Sequence, residues 1–239
     1  MKFKNGKITE GKISAARLKN AKYVLQDEFS IVCNRVIGTS HLLTCIGLII
    51  YDPKSRLAGL AHFSHNSKVS TLAPFFDLMN NGNPLQIMMV SAAMGSKETT
   101  RRSIKKILNF IKKYSKKKNQ KIGIKYVRLK QGYWSCSFDS SCGVISVKGP
   151  ANFLDHREER RRKSCALSHS LLPHDINGLI WCDFKDEQNT IGEAVANFRK
   201  HIQTHAEELR EKICCDSGVF PEEDKKVVKG SRENPEITL

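Results

Sequence analysis

Residues 38–63 read GTSHLLTCIGLIIYDPKSRLAGLAHF. Two apolar runs, 46–51 and 56–62, flank a turn in which Asp52 and Pro53 stand where a type I turn wants them. The pattern predicts a β-hairpin. Cys45 sits where the first strand begins and His62 closes the second, so both fall at the open end. Thr39, Ser40, His41 and Thr44 gather at the same mouth. Opposed residues of such a pair have Cβ atoms roughly 4.5–5.5 Å apart, which suits a thiol and an imidazole. A cysteine nucleophile needs a histidine to take its proton and a third group to orient the ring. Thr39, just upstream, can reach the far nitrogen of the ring through its hydroxyl or its carbonyl.

Outward from the hairpin, strand-like segments are expected at 23–27 and 30–37. LAPFFDLM (72–79) reads as a short helix stopped by NNGNP, and LQIMMVSAAMGS (85–96) as a buried strand ending in small residues. KETTRRSIKKILNFIKKYS (97–115) places Ile104, Ile107, Leu108 and Ile111 at helical spacing with lysines opposite. KIGIKYVRL (121–129) alternates like a strand, and residues 132–149 form a hairpin turning on DSSCG. The fold class is therefore α/β, a layered sandwich with a mostly antiparallel sheet, helices packed on it and a helical C-terminal extension.

Four regions are expected: a basic, poorly ordered arm (1–22), a main domain (23–149), an extension (150–216) and a disordered tail (217–239). Within the extension, LDHREERRRKS (154–164) is a charged connector and INGLIWCDF (176–184) a strand. One long helix from 189 to 213 comes next, with Ile191, Val195, Phe198, Ile202 and Leu209 as its seam. Thr190 and Glu193 fit a capping box at its start.

The 239 residues carry a net charge of +16, a field that favours anionic partners. Residues 97–130 hold fourteen Lys or Arg and one acid, Glu98. Its aromatics are few, Phe110, Tyr114 and Tyr126, so stacking of single-stranded nucleic acid is poorly supported and an acidic protein surface is the expected partner. No apolar run reaches 18 residues and the first residues lack a signal-peptide core, so a cytoplasmic protein without a transmembrane segment is expected. Eight cysteines in such a chain should be reduced, and their spacing suggests no zinc site. His201 and His205, four apart on the long helix, lack an evident third ligand. The vicinal Cys214–Cys215 pair is a weaker candidate for redox or metal chemistry.

The hairpin resembles the chemoreceptor glutamine deamidase family (CheD). In that family a Thr six residues before a Cys is followed by a strand, an Asp-Pro turn and a strand closing in Gly-…-Ala-His. Here these are Thr39, Cys45, Asp52-Pro53, Gly59 and Ala61-His62, with weaker collinear likeness through residue 149. A more distant similarity links the chain to the catalytic domain of cytotoxic necrotizing factors. The resemblance implies Cys45 as nucleophile, His62 as general base and acid, and Thr39 as orienting group. It implies attack on a protein glutamine, a glutamyl thioester, ammonia release and hydrolysis to glutamate, with no metal or cofactor. Thr44, Ser40, His41 and His65 become candidates for oxyanion or substrate contacts. The partner is then a protein with an exposed glutamine, with room for a regulatory protein partner.

Around the trio, SHLLT stands where the family has glycines, a pattern that also fits a deamidase or transglutaminase acting on a host protein after export. A second class of function remains beside the enzyme: a non-catalytic basic binding module built on residues 101–118. A third assigns a regulatory role to the C-terminal helix, as a cover for the core, a partner helix or a shield over the site.

Overall fold

The computed structural model describes residues 8–65, 67–92, 97–129, 132, 134–148, 172–173 and 190–215. The hairpin is its centre: β5 (Ile46–Asp52) and β6 (Leu57–Phe63) pair antiparallel, Ile46 opposite Phe63 and Asp52 opposite Leu57. Both strands are buried at every residue, so they must be covered on two faces. β3 (Glu28–Cys33) adds antiparallel to β6, and β7 (Leu85–Ser91) antiparallel to β5. β8 (Ile122–Arg128) lies parallel to β7 and β11 (Leu172–Pro173) parallel to β3, completing a six-stranded sheet.

A second sheet of five strands holds β4 (Val36–Leu42), β9 (Trp134–Asp139) and β10 (Val144–Lys148) in antiparallel order. The short β1 (Thr9–Glu10) and β2 (Lys22–Tyr23) border it in parallel. In both sheets the interior pairs are antiparallel and the parallel pairs lie at the rims.

Strand alternation divides the hairpin's side chains between two cores. Ile46, Leu48, Ile50, Leu57, Ala61 and Phe63 pack toward the helices. Those helices are α2 (Ala73–Met79), α3 (Lys97–Lys118), α4 (Ile191–Thr204) and α5 (Ala206–Cys215). Ile49, Tyr51, Ala58 and Leu60 pack toward the second sheet, against Ile37, Leu42 and Phe138. The result is a layered α/β sandwich: sheet, sheet, helices. On α3 the expected stripe is the buried face, with Ile107 and Ile111 at 0% and 1% exposure.

Four expectations change. Residues 8–22 are not a loose arm, because β1 and β2 pair in the second sheet and α1 (Ala15–Lys19) sits between them. Ile8 and Ile13 are buried, and Arg17 pairs with Asp139 at 2.7 Å. The run 30–37 is two strands in different sheets, broken at Asn34, whose φ of 52° turns the chain. The strand expected at 23–27 is not formed as such: only Lys22–Tyr23 pair, as β2, and β3 starts at Glu28, while the polar mouth is the second half of β4. The long C-terminal helix breaks at His205 into α4 and α5.

The boundary at 149/150 does not divide the core. Phe198, Ile202, Leu209 and Ile213 join the same buried cluster as the hairpin, and fully burying side chains of this size contributes about 1.5–3 kcal/mol each. The capping box is formed, with Thr190 N–H donating to Glu193 Oε2 at 2.6 Å and Glu193 N–H to Thr190 Oγ1 at 3.3 Å. The expected connector at 154–164, the strand at 176–184, the small-residue end at 93–96 and the tail after 217 lie outside the described residues.

The Asp-Pro turn is more than a reversal. Asp52 is buried, and its carboxylate accepts from Lys54 N–H, Ser55 Oγ, Asn81 Nδ2 and Asn83 Nδ2 at 2.5–2.9 Å. Burial alone would raise its pKa, but the donors from Asn81, Ser55, Asn83 and Lys54 outweigh that and lower it. A depressed folded pKa contributes stability that is complete above the unfolded value of about 3.9 and is lost as pH falls through the folded value. Denaturant midpoints measured on either side of that window should therefore fall less on acidification in Asp52→Asn than in the native chain.

Gly59 explains itself through α2. A Cβ there would lie 2.3 Å from Phe75 Cε2 and 3.1 Å from Met79 Sδ. Phe75 is fully buried and packed on Phe29 with ring centroids 5.0 Å apart, so it cannot retreat. Gly59→Ala should cost about 1–3 kcal/mol, the range of overpacked cores, read as a lower denaturation midpoint with an unchanged m-value.

Candidate active site

His62 points into the seam between the two sheets. It stands opposite Gly47 in the hairpin register, on the face that carries Ala58 and Leu60 toward the second sheet. Cys45 comes one residue before β5 and shares that face, because it lies two residues from Gly47 and belongs to the same inter-sheet cluster. The two residues are therefore diagonal neighbours across the hairpin rather than an opposed pair. Gly47 leaves the space that brings the sheets together: a Cβ there would meet Leu42 Cδ1 at 3.2 Å and Cys136 Sγ at 3.3 Å.

The third residue comes from the other sheet. Thr39, on β4, is fully buried, and its Oγ1 is 2.7 Å from His62 Nδ1 and 2.7 Å from the Val24 carbonyl. A hydroxyl has one proton, and a carbonyl can only accept. Thr39 therefore donates to Val24, and Nδ1–H of His62 donates to Thr39. In the neutral ring this places the lone pair on Nε2, the nitrogen able to take a proton from a thiol. The relay is held at both ends: Val24 N–H donates to Gly38 C=O at 2.9 Å, and Asp27 N–H to His62 C=O at 2.8 Å.

Behind Thr39, β4 carries an irregularity between residues 39 and 42, and His41 adopts φ of 59°. Bulges of this kind re-aim side chains beside functional sites. Here the kink returns Leu42 to the core at 0% exposure and leaves His41 half-buried at the rim. Ser40 Oγ is 2.9 Å from His41 Nδ1, so these two contact each other. Thr44 is half-buried beside Cys45, and His65 is exposed beyond β6. The structure thus bonds Thr39 to His62, sets Cys45 on the same face at the hairpin's open end and Ser40, His41 and Thr44 along the adjoining segment, and leaves His65 in the turn after β6.

Two features carried little sequence signal. The Val24 carbonyl is backbone, which no motif records. Gly47 does leave a trace, since a glycine inside an apolar strand run points to a close backbone approach. A rival thiol lies near: Cys136 is paired in register with Thr39. It is fully buried, which pushes its pKa up to about 12 and makes it a poor nucleophile at neutral pH. Cys45, at 5% exposure, lies at the strand's open end.

Among the described residues no group of three His, Cys, Asp or Glu could hold a metal, and no helix is long and apolar enough to cross a membrane. The rings of His201 and His205 lie 4.3 Å apart, with His205 Nδ1 3.5 Å from Glu208. The C-terminal helices sit on the helix side of the six-stranded sheet, opposite the face bearing His62, so α4 and α5 complete a core and do not shield the site. The chain matches no family model and no curated protein.

Thr39→Val keeps the shape and removes the acceptor of Nδ1–H. Losing one partner of a buried hydrogen bond costs about 1–3 kcal/mol. Nitrogen-detected NMR of the imidazole should show the Nδ1–H tautomer of His62 in the native chain and a mixture in the variant. Retention of a single tautomer in Thr39→Val would remove the relay.

Proposed function

We propose that the chain is a cysteine-dependent protein-glutamine deamidase, with Cys45 as nucleophile, His62 as base and acid, and Thr39 as orienting group. The observation that carries this reading is the directed relay from Val24 carbonyl to Thr39 to His62 Nδ1 at 2.7 Å per step, on the face shared with Cys45. A buried histidine serving only as core needs a satisfied ring. Here the ring is held in the tautomer that general-base chemistry on a thiol requires.

In this reading His62 Nε2 takes the Cys45 proton and the sulfur adds to the carboxamide carbon of a glutamine side chain. Backbone N–H groups beside Cys45 stabilise the oxyanion. The imidazolium returns its proton to the nitrogen, the C–N bond breaks and ammonia leaves a glutamyl thioester. Water, deprotonated by the same ring, cleaves the C–S bond to give glutamate and restores the thiol. No step calls for a metal or a cofactor. An amine in place of water would give transglutamination from the same thioester.

The burial of Cys45 and His62, at 5% and 2% exposure, favours a slim, flexible side chain over a folded backbone as the entering group. The substrate is a protein presenting a glutamine on an acidic surface, by complementarity with the chain's charge of +16. It is a chemoreceptor in the family resembled, or a host protein if the chain is exported.

Incubation with a candidate proteome should yield glutamines heavier by one mass unit together with ammonia. Cys45→Ala and His62→Ala should each reduce the rate by about 10³-fold or more, as losses within a catalytic triad do. Ammonia release undiminished in Cys45→Ala would remove the reading.

A further inference from the structure

β8 is the outermost strand of the six-stranded sheet, parallel to β7 on its inner side. Leu85 N–H donates to Lys121 C=O, and Leu129 N–H to Ser91 C=O. By alternation, Gly123, Lys125 and Val127 turn their backbone groups inward to β7, while Ile122, Ile124, Tyr126 and Arg128 turn theirs outward. Among the described residues no strand meets that outer side.

The side chains divide as sharply as the backbone. Ile124 and Tyr126 are 46% and 42% exposed, the large apolar side chains of the described residues that remain open to solvent. Their register partners on β7, Ile87 and Met89, are each 1% exposed and belong to the helix-side core. Among the described residues the apolar layer therefore runs out to the rim of the sheet and is not continued beyond β8. Tyr126 OH is fixed at 2.8 Å from Ser91 Oγ, which holds the exposed ring in place. On the opposite face of β8, Lys121 and Lys125 are exposed, with Lys125 3.8 Å from Glu10.

We propose that β8 is a docking edge for an extended segment of a partner protein in which apolar and acidic residues alternate. Such a segment would add a seventh strand, its amides meeting those of Ile124 and Tyr126. Its apolar side chains would extend the helix-side layer over Ile124 and Tyr126. Its carboxylates would fall on the face of Lys121 and Lys125, because neighbouring strands share a face residue by residue. Charge selects the same occupant: residues 121–128 carry exposed Lys121, Lys125 and Arg128 and no acid, so a basic or neutral strand has no electrostatic reason to settle there. An edge lysine is a common guard against random pairing. A lysine on one face beside two open apolar residues on the other also specifies the side chains a partner must carry.

The edge is independent of the chemistry at Cys45, and its test reads binding alone. Fluorescein-labelled peptides of alternating Val and Glu, and of alternating Val and Lys, would be titrated with the full chain by anisotropy. The Val-Glu peptide should bind and weaken as salt rises, and the Val-Lys peptide should not. Ile124→Pro removes an outward N–H and no bond to β7; it should weaken binding about tenfold, as loss of one backbone hydrogen bond and its packing would. Tyr126→Thr, which keeps strand propensity, should weaken it as well, with thermal unfolding confirming that both variants fold. Absence of Val-Glu binding, or equal binding by both variants and the native chain, would overturn the proposal. So would a concentration-dependent dimer in sedimentation that Ile124→Pro abolishes, since the edge would then belong to a second copy.

Discussion

A hairpin buried on both faces has nowhere to place a polar side chain without a partner. β5 and β6 meet that condition at every residue. One face is sealed by helices and the other by a second sheet, so His62 must satisfy its ring within the seam. The partner comes from across the seam, where Thr39 is itself committed to the Val24 carbonyl. Directionality is set there: because a carbonyl accepts only, the proton order of three groups is settled by one backbone oxygen. The inter-sheet packing and the protonation of the histidine are in this sense one constraint. Moving β4 by one residue would turn Thr39 away from the ring.

The two ends of the hairpin are pinned by different means. At the turn, the Asp52 carboxylate gathers donors from its own loop and from Asn81 and Asn83 on the far side of α2. At the mouth, the relay and the bond from Asp27 N–H to His62 C=O tie the strand end to the segment before β3. Between them, Gly59 admits α2 and Gly47 admits the second sheet. These glycines lie on opposite faces and serve opposite layers. Together they explain how one hairpin can be pressed from both sides while its terminal residues keep a fixed relation, the property the proposed nucleophile and base would need.

How much of this could be read in advance depended on the range of the forces involved. The hairpin, the α3 stripe and the Thr190–Glu193 box are local patterns, and local periodicity records them. Cys45, His62 and Thr39 stood out for the same reason, being close in sequence around one turn. The hidden part was non-local. The break at Asn34 lies inside an apolar run, and only the need for strands in two sheets reveals it. Residues 8–22 look like a basic arm because their partners, β10 and Asp139, come more than a hundred residues later. The seam of the C-terminal helices was legible, but its destination was not, since amphipathicity names a buried face and never the surface that buries it.

The register across the six-stranded sheet adds one relation that neither the hairpin nor the edge strand shows alone. Ile46, Ser91 and Arg128 occupy one row across β5, β7 and β8. Cys45, immediately before Ile46, and the basic end of β8 therefore lie at the same end of the sheet. Neighbouring strands are spaced by about 4.8 Å, so two strand widths separate the row beside Cys45 from the exposed edge. A protein segment held along β8 would carry its own flanking residues toward the row that ends at Cys45. Binding energy gathered at an edge with no catalytic groups could then be used to hold a side chain at a buried sulfur, as remote contacts do when they offset the cost of ordering a substrate. On the proposal of an acidic partner, the strong positive charge of residues 97–130 would draw that partner toward the chain before any close contact forms.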